Sequence, residues 1–206
     1  MQRQLRGLAA ATLASVLLSG WASPKGSALW AWGGAAASSN PAEATALDLK
    51  GKEVDPFALS SGKTLVLIFV RTDCPISNRY APTIQGLSKK YAGGVSVMLV
   101  YPDQSETPQN IEKHLHDFGY TNTALRDPQH TLVKLGQVQI TPEAAVFNAQ
   151  HELVYHGRID NWYKDFGRAR PAPTTHELND AIQAALHGTA PPQPVGGVGC
   201  YISDLQ

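Results

Sequence analysis

A chain of 206 residues with 17 basic and 17 acidic side chains carries no formal net charge and no basic block. That balance lacks the electrostatic footprint of a nucleic-acid binder. Only two cysteines, Cys74 and Cys200, are present, and no internal repeat is visible.

Arg3 and Arg6 precede an Ala- and Leu-rich stretch over residues 8–18. A positive start followed by an apolar core too short for a comfortable bilayer span is the pattern of a secretory signal; the alternative is an uncleaved anchor. Trp21 follows residues 17–20 where a lipoprotein signal needs cysteine, which argues against lipidation. The chain divides into a signal peptide (1–23), an Ala/Gly/Ser-rich flexible linker (24–41), one domain (42–188) and a Pro/Gly-rich tail carrying Cys200 (189–206). The expected location is periplasmic or extracellular, with no stable membrane insertion after signal cleavage. In such an oxidising compartment a Cys74–Cys200 disulfide is chemically possible.

A short hairpin is expected over residues 44–52. Residues 64–70 (TLVLIFV) form a continuous apolar run that reads as a fully buried strand. Arg71, Thr72 and Asp73 turn the chain, and Cys74 is followed by Pro75, which suits the first turn of a helix. Tyr80, Ile84, Leu87 and Tyr91 place one apolar stripe along a helix over 77–91. Gly93 and Gly94 end it, and residues 95–101 are the next buried strand, completing a βαβ unit with parallel strands. Thr107 and Pro108 open a helix to about Phe118, with Ile111, Leu115 and Phe118 on one face. A short extended piece at Ala124 and Leu125 and a short helix over 131–135 follow. Residues 144–147 and 153–155 form a hairpin. Residues 160–173 read as a long irregular loop, in which Trp162, Tyr163 and Phe166 either wall a cleft or pack beneath it. Thr174 or Thr175 caps a last helix that Gly188 stops. Residues 190–199 read as an irregular tether for Cys200.

A thiol at a strand-to-helix junction lies near backbone N–H groups and the positive end of a helix dipole, both of which favour the reactive thiolate. Adjacent Asp73 opposes it. His114 and His116 lie two apart on a helix and read as solvated surface, and His130 as a turn residue.

The order βαβ, helix, hairpin, helix resembles the thioredoxin fold, here an α/β domain with a central mixed sheet flanked by helices. Residues 64–74, Thr141-Pro142 before a strand, and the hairpin to Gly157 resemble the redoxin families, including the alkyl hydroperoxide reductase/thiol-specific antioxidant group. The stretches 73–80, 155–160 and 198–202 look like those of exported bacterial redoxin-domain proteins. The resemblance implies a cis Thr141–Pro142 bond against Cys74, with the Thr141 backbone available to a substrate strand. It also exposes departures: Ser77 stands where a thioredoxin carries its second thiol, and Arg71 stands where a peroxiredoxin carries Thr or Ser. Arg71 or Arg158 is a candidate cation beside the sulfur, though no motif places either.

The expected function is thiol–disulfide exchange or peroxide reduction through Cys74, with a redox partner protein or a peroxide as the reacting species and no cofactor. Cys200 is the candidate resolving thiol; a static tether or a link to another chain are the alternatives. The competing reading is a binding module whose redox site has decayed, or a copper carrier drawing Cys74 and Cys200 together with His151, His156 and His176.

Overall fold

The computed structural model describes residues 44–203. The export signal and linker expected over 1–41 lie outside these residues. Strands β1 (Ala46–Leu47) and β2 (Glu53–Val54) form the short hairpin, its turn fixed by the Asp48 carboxylate, which accepts from the Lys50 and Lys52 N–H groups. Asp55 caps helix α1 (Pro56–Ser60). Strand β3 (Thr64–Phe69) is buried at every position, as its unbroken apolar run requires.

Two helices, α2 (Pro75–Arg79) and α3 (Ala81–Tyr91), replace the single one read over 77–91. The break falls at Tyr80, because Pro82 has no N–H to continue the ladder of the preceding turn. Strand β4 (Val95–Tyr101) leads to α4 (Pro108–Asp117), whose N-cap Thr107 accepts the Asn110 N–H at 3.2 Å. Next come β5 (Thr123–Arg126), α5 (Thr131–Gly136), β6 (Ile140–Thr141), β7 (Glu143–Phe147) and β8 (Leu153–Gly157). The loop read as irregular contains a small hairpin, β9 (Tyr163–Asp165) with β10 (Arg168–Ala169). Helix α6 (Glu177–His187) starts after His176, one residue later than the expected cap, and stops at Gly188.

The main sheet runs β2-β1-β5-β4-β3-β7-β8. Strands β3, β4 and β5 are parallel, while β7 joins β3 antiparallel and β8 joins β7 antiparallel. Alternation along the central strands sends Val66, Ile68 and Val70 to one core, with Ile84, Ile111, Leu178 and Ile182 of α3, α4 and α6. Leu65, Leu67 and Phe69 face the other, with Phe57 of α1 and Leu132 and Leu135 of α5. Cys74 belongs to the first core, at the end of the strand that anchors both.

The tail is not the loose tether its composition suggests. Val195 bridges Gly157 in parallel, and its carbonyl accepts the Arg158 N–H at 2.8 Å. Gly157 has φ +132°, and a Cβ there would lie 2.3 Å from the Val195 oxygen, so only glycine lets the strands meet. Beyond it, β11 (Cys200–Tyr201) pairs antiparallel with β6. The Ile202 N–H then donates to the Gln139 carbonyl at 2.9 Å, and the Ile202 side chain enters the second core at 6% exposure. Proline and glycine here serve close approach. A Cβ on Gly199 would fall 1.9 Å from the Thr141 oxygen.

Because the tail is anchored by a core residue, Ile202→Ala is expected to cost about 2 kcal/mol or more, the usual range for a truncated buried isoleucine. Urea unfolding of the reduced protein measures this; a cost below about 0.5 kcal/mol, the level of an ordinary surface change, would mean the anchor contributes nothing.

Candidate functional site

Cys74 stands at the N-cap of α2, directly after the Arg71–Asp73 turn, and has no exposed surface. Its sulfur lies 3.3 Å from the Thr141 carbonyl oxygen, which accepts the S–H hydrogen bond while the thiol is protonated. The Thr141–Pro142 bond is cis, as the resemblance implies, and Pro142 has no N–H to offer a neighbouring strand. Thr141 is instead paired through β6 with Cys200, and its hydroxyl donates to the Cys200 carbonyl at 3.3 Å. This pairing carries the Cys200 sulfur to 2.7 Å from that of Cys74, across a sequence separation of 126. Both thiols are free. The separation is well inside van der Waals contact and longer than the bonded distance of about 2.05 Å.

The two thiols are electrostatically unequal. Burial pushes the Cys74 thiol up. The hydrogen bond from Cys200, the Ser77 hydroxyl and the backbone N–H groups of Ser77 and Ile76 outweigh it and hold Cys74 below its ordinary range. Burial, and then the neighbouring Cys74 sulfur, push Cys200 up to about 12. The pair is therefore polarised one way, with Cys74 the more acidic thiol and Cys200 the donor to it. Ser77, which occupies the position of the missing second thiol, is wholly buried; its hydroxyl makes no hydrogen bond of ordinary geometry, yet it lies close enough to the Cys74 sulfur to favour the thiolate.

Residues 35–165 match the Redoxin family model. The chain belongs to the Redoxin family, within the thioredoxin-like superfamily. Among solved structures, a conserved protein from Geobacillus kaustophilus, described as uncharacterized, superposes with a TM-score of 0.65 at 22% identity, covering 77% of this chain and 86% of that one. A hypothetical protein from Sinorhizobium meliloti 1021 gives 0.63 at 22% identity, covering 77% and 88%. A candidate thiol:disulfide interchange protein DsbE from Chlorobium tepidum gives 0.54 at 21% identity, covering 69% and 92%. At these identities the likeness is one of fold. No match is found among curated proteins.

Several residues that fix this redoxin site escape sequence reading. Glu143 follows Pro142 and is buried to 5% exposure. One carboxylate oxygen accepts the Gln139 and Ile140 N–H groups at 3.0 and 3.3 Å, while the other accepts the Gly197 N–H at 2.7 Å. It thus staples the tail to the loop that presents Thr141. On the opposite side Glu106 accepts from the Thr72 hydroxyl and backbone.

His114 corrects the surface reading, since it is buried between Tyr101 and Asn78. The Asn78 carbonyl oxygen can only accept, so the histidine Nε2 donates to it at 2.8 Å. Nδ1 then accepts from the Tyr101 hydroxyl at 2.8 Å. Burial lowers the His114 pKa, in keeping with this neutral form. Asn78 in turn donates to the Thr72 carbonyl at 3.0 Å and locks the turn before Cys74.

Both candidate cations are paired with carboxylates. Arg71 pairs with Asp73 at 3.0 Å and with Asp103 at 2.9 Å, so the Asp73 charge is partly offset by a cation. Arg158 pairs with Glu177. Among the described residues, no three His, Cys, Asp or Glu side chains converge as a metal site; His151 stacks on Phe57 with ring centroids 4.4 Å apart. A cavity of about 390 Å³ opens beside Pro142, walled by Tyr80, Arg158, Tyr163 and Gly197. Tyr163 lines it, Trp162 packs edge-on against Tyr80, and Phe166 is exposed.

Thiolate absorbance followed against pH should show a midpoint below the ordinary cysteine range. Cys200→Ala should raise it by removing the donor; an unshifted midpoint in both proteins would contradict the hydrogen-bonded pair. Glu143→Ala should loosen the strap and speed alkylation of Cys200 by roughly tenfold, about 1.4 kcal/mol of lost docking, without unfolding the domain.

Proposed function

We propose that this redoxin performs thiol–disulfide exchange, with Cys74 as nucleophile and Cys200 as the resolving thiol. The observation that carries the reading is the 2.7 Å approach of the two sulfurs, held by strand pairing of Cys200 with Thr141. Cys74 as thiolate attacks one sulfur of a substrate disulfide, forming a mixed disulfide and releasing the other substrate sulfur as thiolate. Cys200, losing its proton, then attacks Cys74, forms the Cys74–Cys200 bond and releases the second substrate sulfur. The substrate is reduced and the protein oxidised by two electrons. Ser77 cannot resolve the intermediate locally, and β11 supplies the missing thiol from the tail that follows the domain.

Disulfide exchange is favoured over peroxide reduction by the surroundings of Cys74. Arg71 and Arg158 are each paired with carboxylates, which offset the charge either could bring to a peroxide oxygen. Thr141 and Pro142 are assigned to positioning the strand that carries the reacting sulfur. The protein is proposed to act after export, on the strength of Arg3, Arg6 and the apolar stretch 8–18. Among the described residues no helix is long and apolar enough to cross a membrane.

The test is reduction of a model protein disulfide by the reduced chain. The intact protein should turn over and accumulate an intramolecular Cys74–Cys200 link, seen by peptide mapping. Cys74→Ser should abolish activity, and Cys200→Ser should stop at a trapped mixed disulfide on Cys74. Two free thiols after turnover, or undiminished activity in Cys74→Ser, would overturn the assignment.

A further inference from the structure

The two sulfurs differ in access as well as in acidity. Cys74 has no exposed surface: the Thr141 oxygen stands 3.3 Å from its sulfur, and α2 begins at its own backbone. Cys200 is partly exposed, and the next residue on the strand, Tyr201, is 74% exposed. A thiolate breaks a disulfide by approaching one sulfur along the S–S axis, from the side away from the sulfur that leaves. With the strap closed, Cys74 offers no surface to an incoming thiolate, whereas Cys200 keeps a solvent-exposed part.

Resting on the exchange function above, we propose that the thiol which returns the oxidised protein to its reduced form attacks Cys200 and expels Cys74. The exposed strand β11 is thereby the docking point for a reductant, and the nucleophilic cysteine is the leaving group. The reductant is a dithiol, or two equivalents of a monothiol. Its thiolate forms a new bond to the Cys200 sulfur; the Cys74–Cys200 bond breaks, and its electron pair departs on Cys74 as thiolate. A second reductant thiolate attacks the first reductant sulfur, closes the reductant's own disulfide and releases Cys200, which takes up a proton. Two electrons have then passed from the reductant to the protein.

The leaving-group chemistry favours the same direction, because the sulfur of lower pKa leaves faster. Cys74 leaves onto the Ser77 and Ile76 N–H groups that favour its thiolate, while Cys200 has no such support and is pushed up to about 12. The flanking charges do not reverse this: Arg71 and Asp73 both lie near Cys200 with opposite effects. The two half-reactions consequently use different sulfurs and different positions of the tail. Attack by Cys74 on a substrate needs the strap lifted, and attack by the reductant needs it closed.

The experiment uses the full chain, oxidised and freed of reductant, with glutathione as the probe. Reaction is stopped by acid at the earliest measurable times, freed thiols are alkylated, and the peptides carrying Cys74 and Cys200 are mapped. Glutathione is expected on Cys200 and the alkyl label on Cys74, in at least about tenfold excess over the reverse, in line with the joint control of exchange by access and leaving-group acidity. Glutathione on Cys74, or an even distribution, would overturn the proposal while leaving the exchange function standing. Absence of any Cys74–Cys200 disulfide in the oxidised chain would overturn both.

Discussion

Antiparallel pairing of Thr141 with Cys200 is the contact on which the arrangement of the site depends. It lays the tail beside the loop that faces Cys74 and sets the distance between the two sulfurs. A backbone pairing of only two residues is weak alone, and its surroundings reinforce it. Glu143 joins the loop before Pro142 to Gly197, Val195 rests on Gly157, and Ile202 reaches the second core. Each contact acts on a different point of residues 195–202, so the strap is held as a unit.

The electrostatics of Cys74 depend on the same closure. The nearest carboxylate in sequence, Asp73, is paired with Arg71, which is itself shared with Asp103. The surrounding polar network of Glu106, Thr72, Asn78, His114 and Tyr101 holds the turn in place from the far side. What remains next to the sulfur is a set of N–H, O–H and S–H donors, opposed by burial and by the Thr141 oxygen. Cys200 is the strongest of the donors that lower the Cys74 pKa, so lifting the strap removes part of what favours its thiolate. Acidity and access therefore change together.

The scaffold was legible because its signals are local. An apolar run of strand length, a cysteine before a proline and a Thr-Pro pair before a second strand suffice to place Cys74 and Thr141. The tail was not legible, because a two-residue strand has no periodicity and its partner lies 59 residues away. Its glycines are indistinguishable in composition from those of a flexible linker; only the proximity of Thr141 and Val195 shows that they permit contact. Glu143 reads as an ordinary charged residue opening a strand until Gly197, 54 residues on, is seen to donate to it. His114 was misread for a similar reason, since helical spacing separated it from His116 but said nothing of Tyr101 and Asn78.

The separation of 126 residues between the sulfurs has a thermodynamic side. A covalent bond between them would enclose most of the domain in one loop and restrict the unfolded chain, by an amount on the order of 5 kcal/mol in the chain-entropy treatment. Folding and reduction then form a closed cycle. Whatever the bond adds to the stability of the fold, the fold must add to the bond's resistance to reduction, relative to the unfolded chain. The redox poise of this pair is therefore partly a property of the whole domain, and a core substitution that favours the strapped conformation shifts it without touching either sulfur.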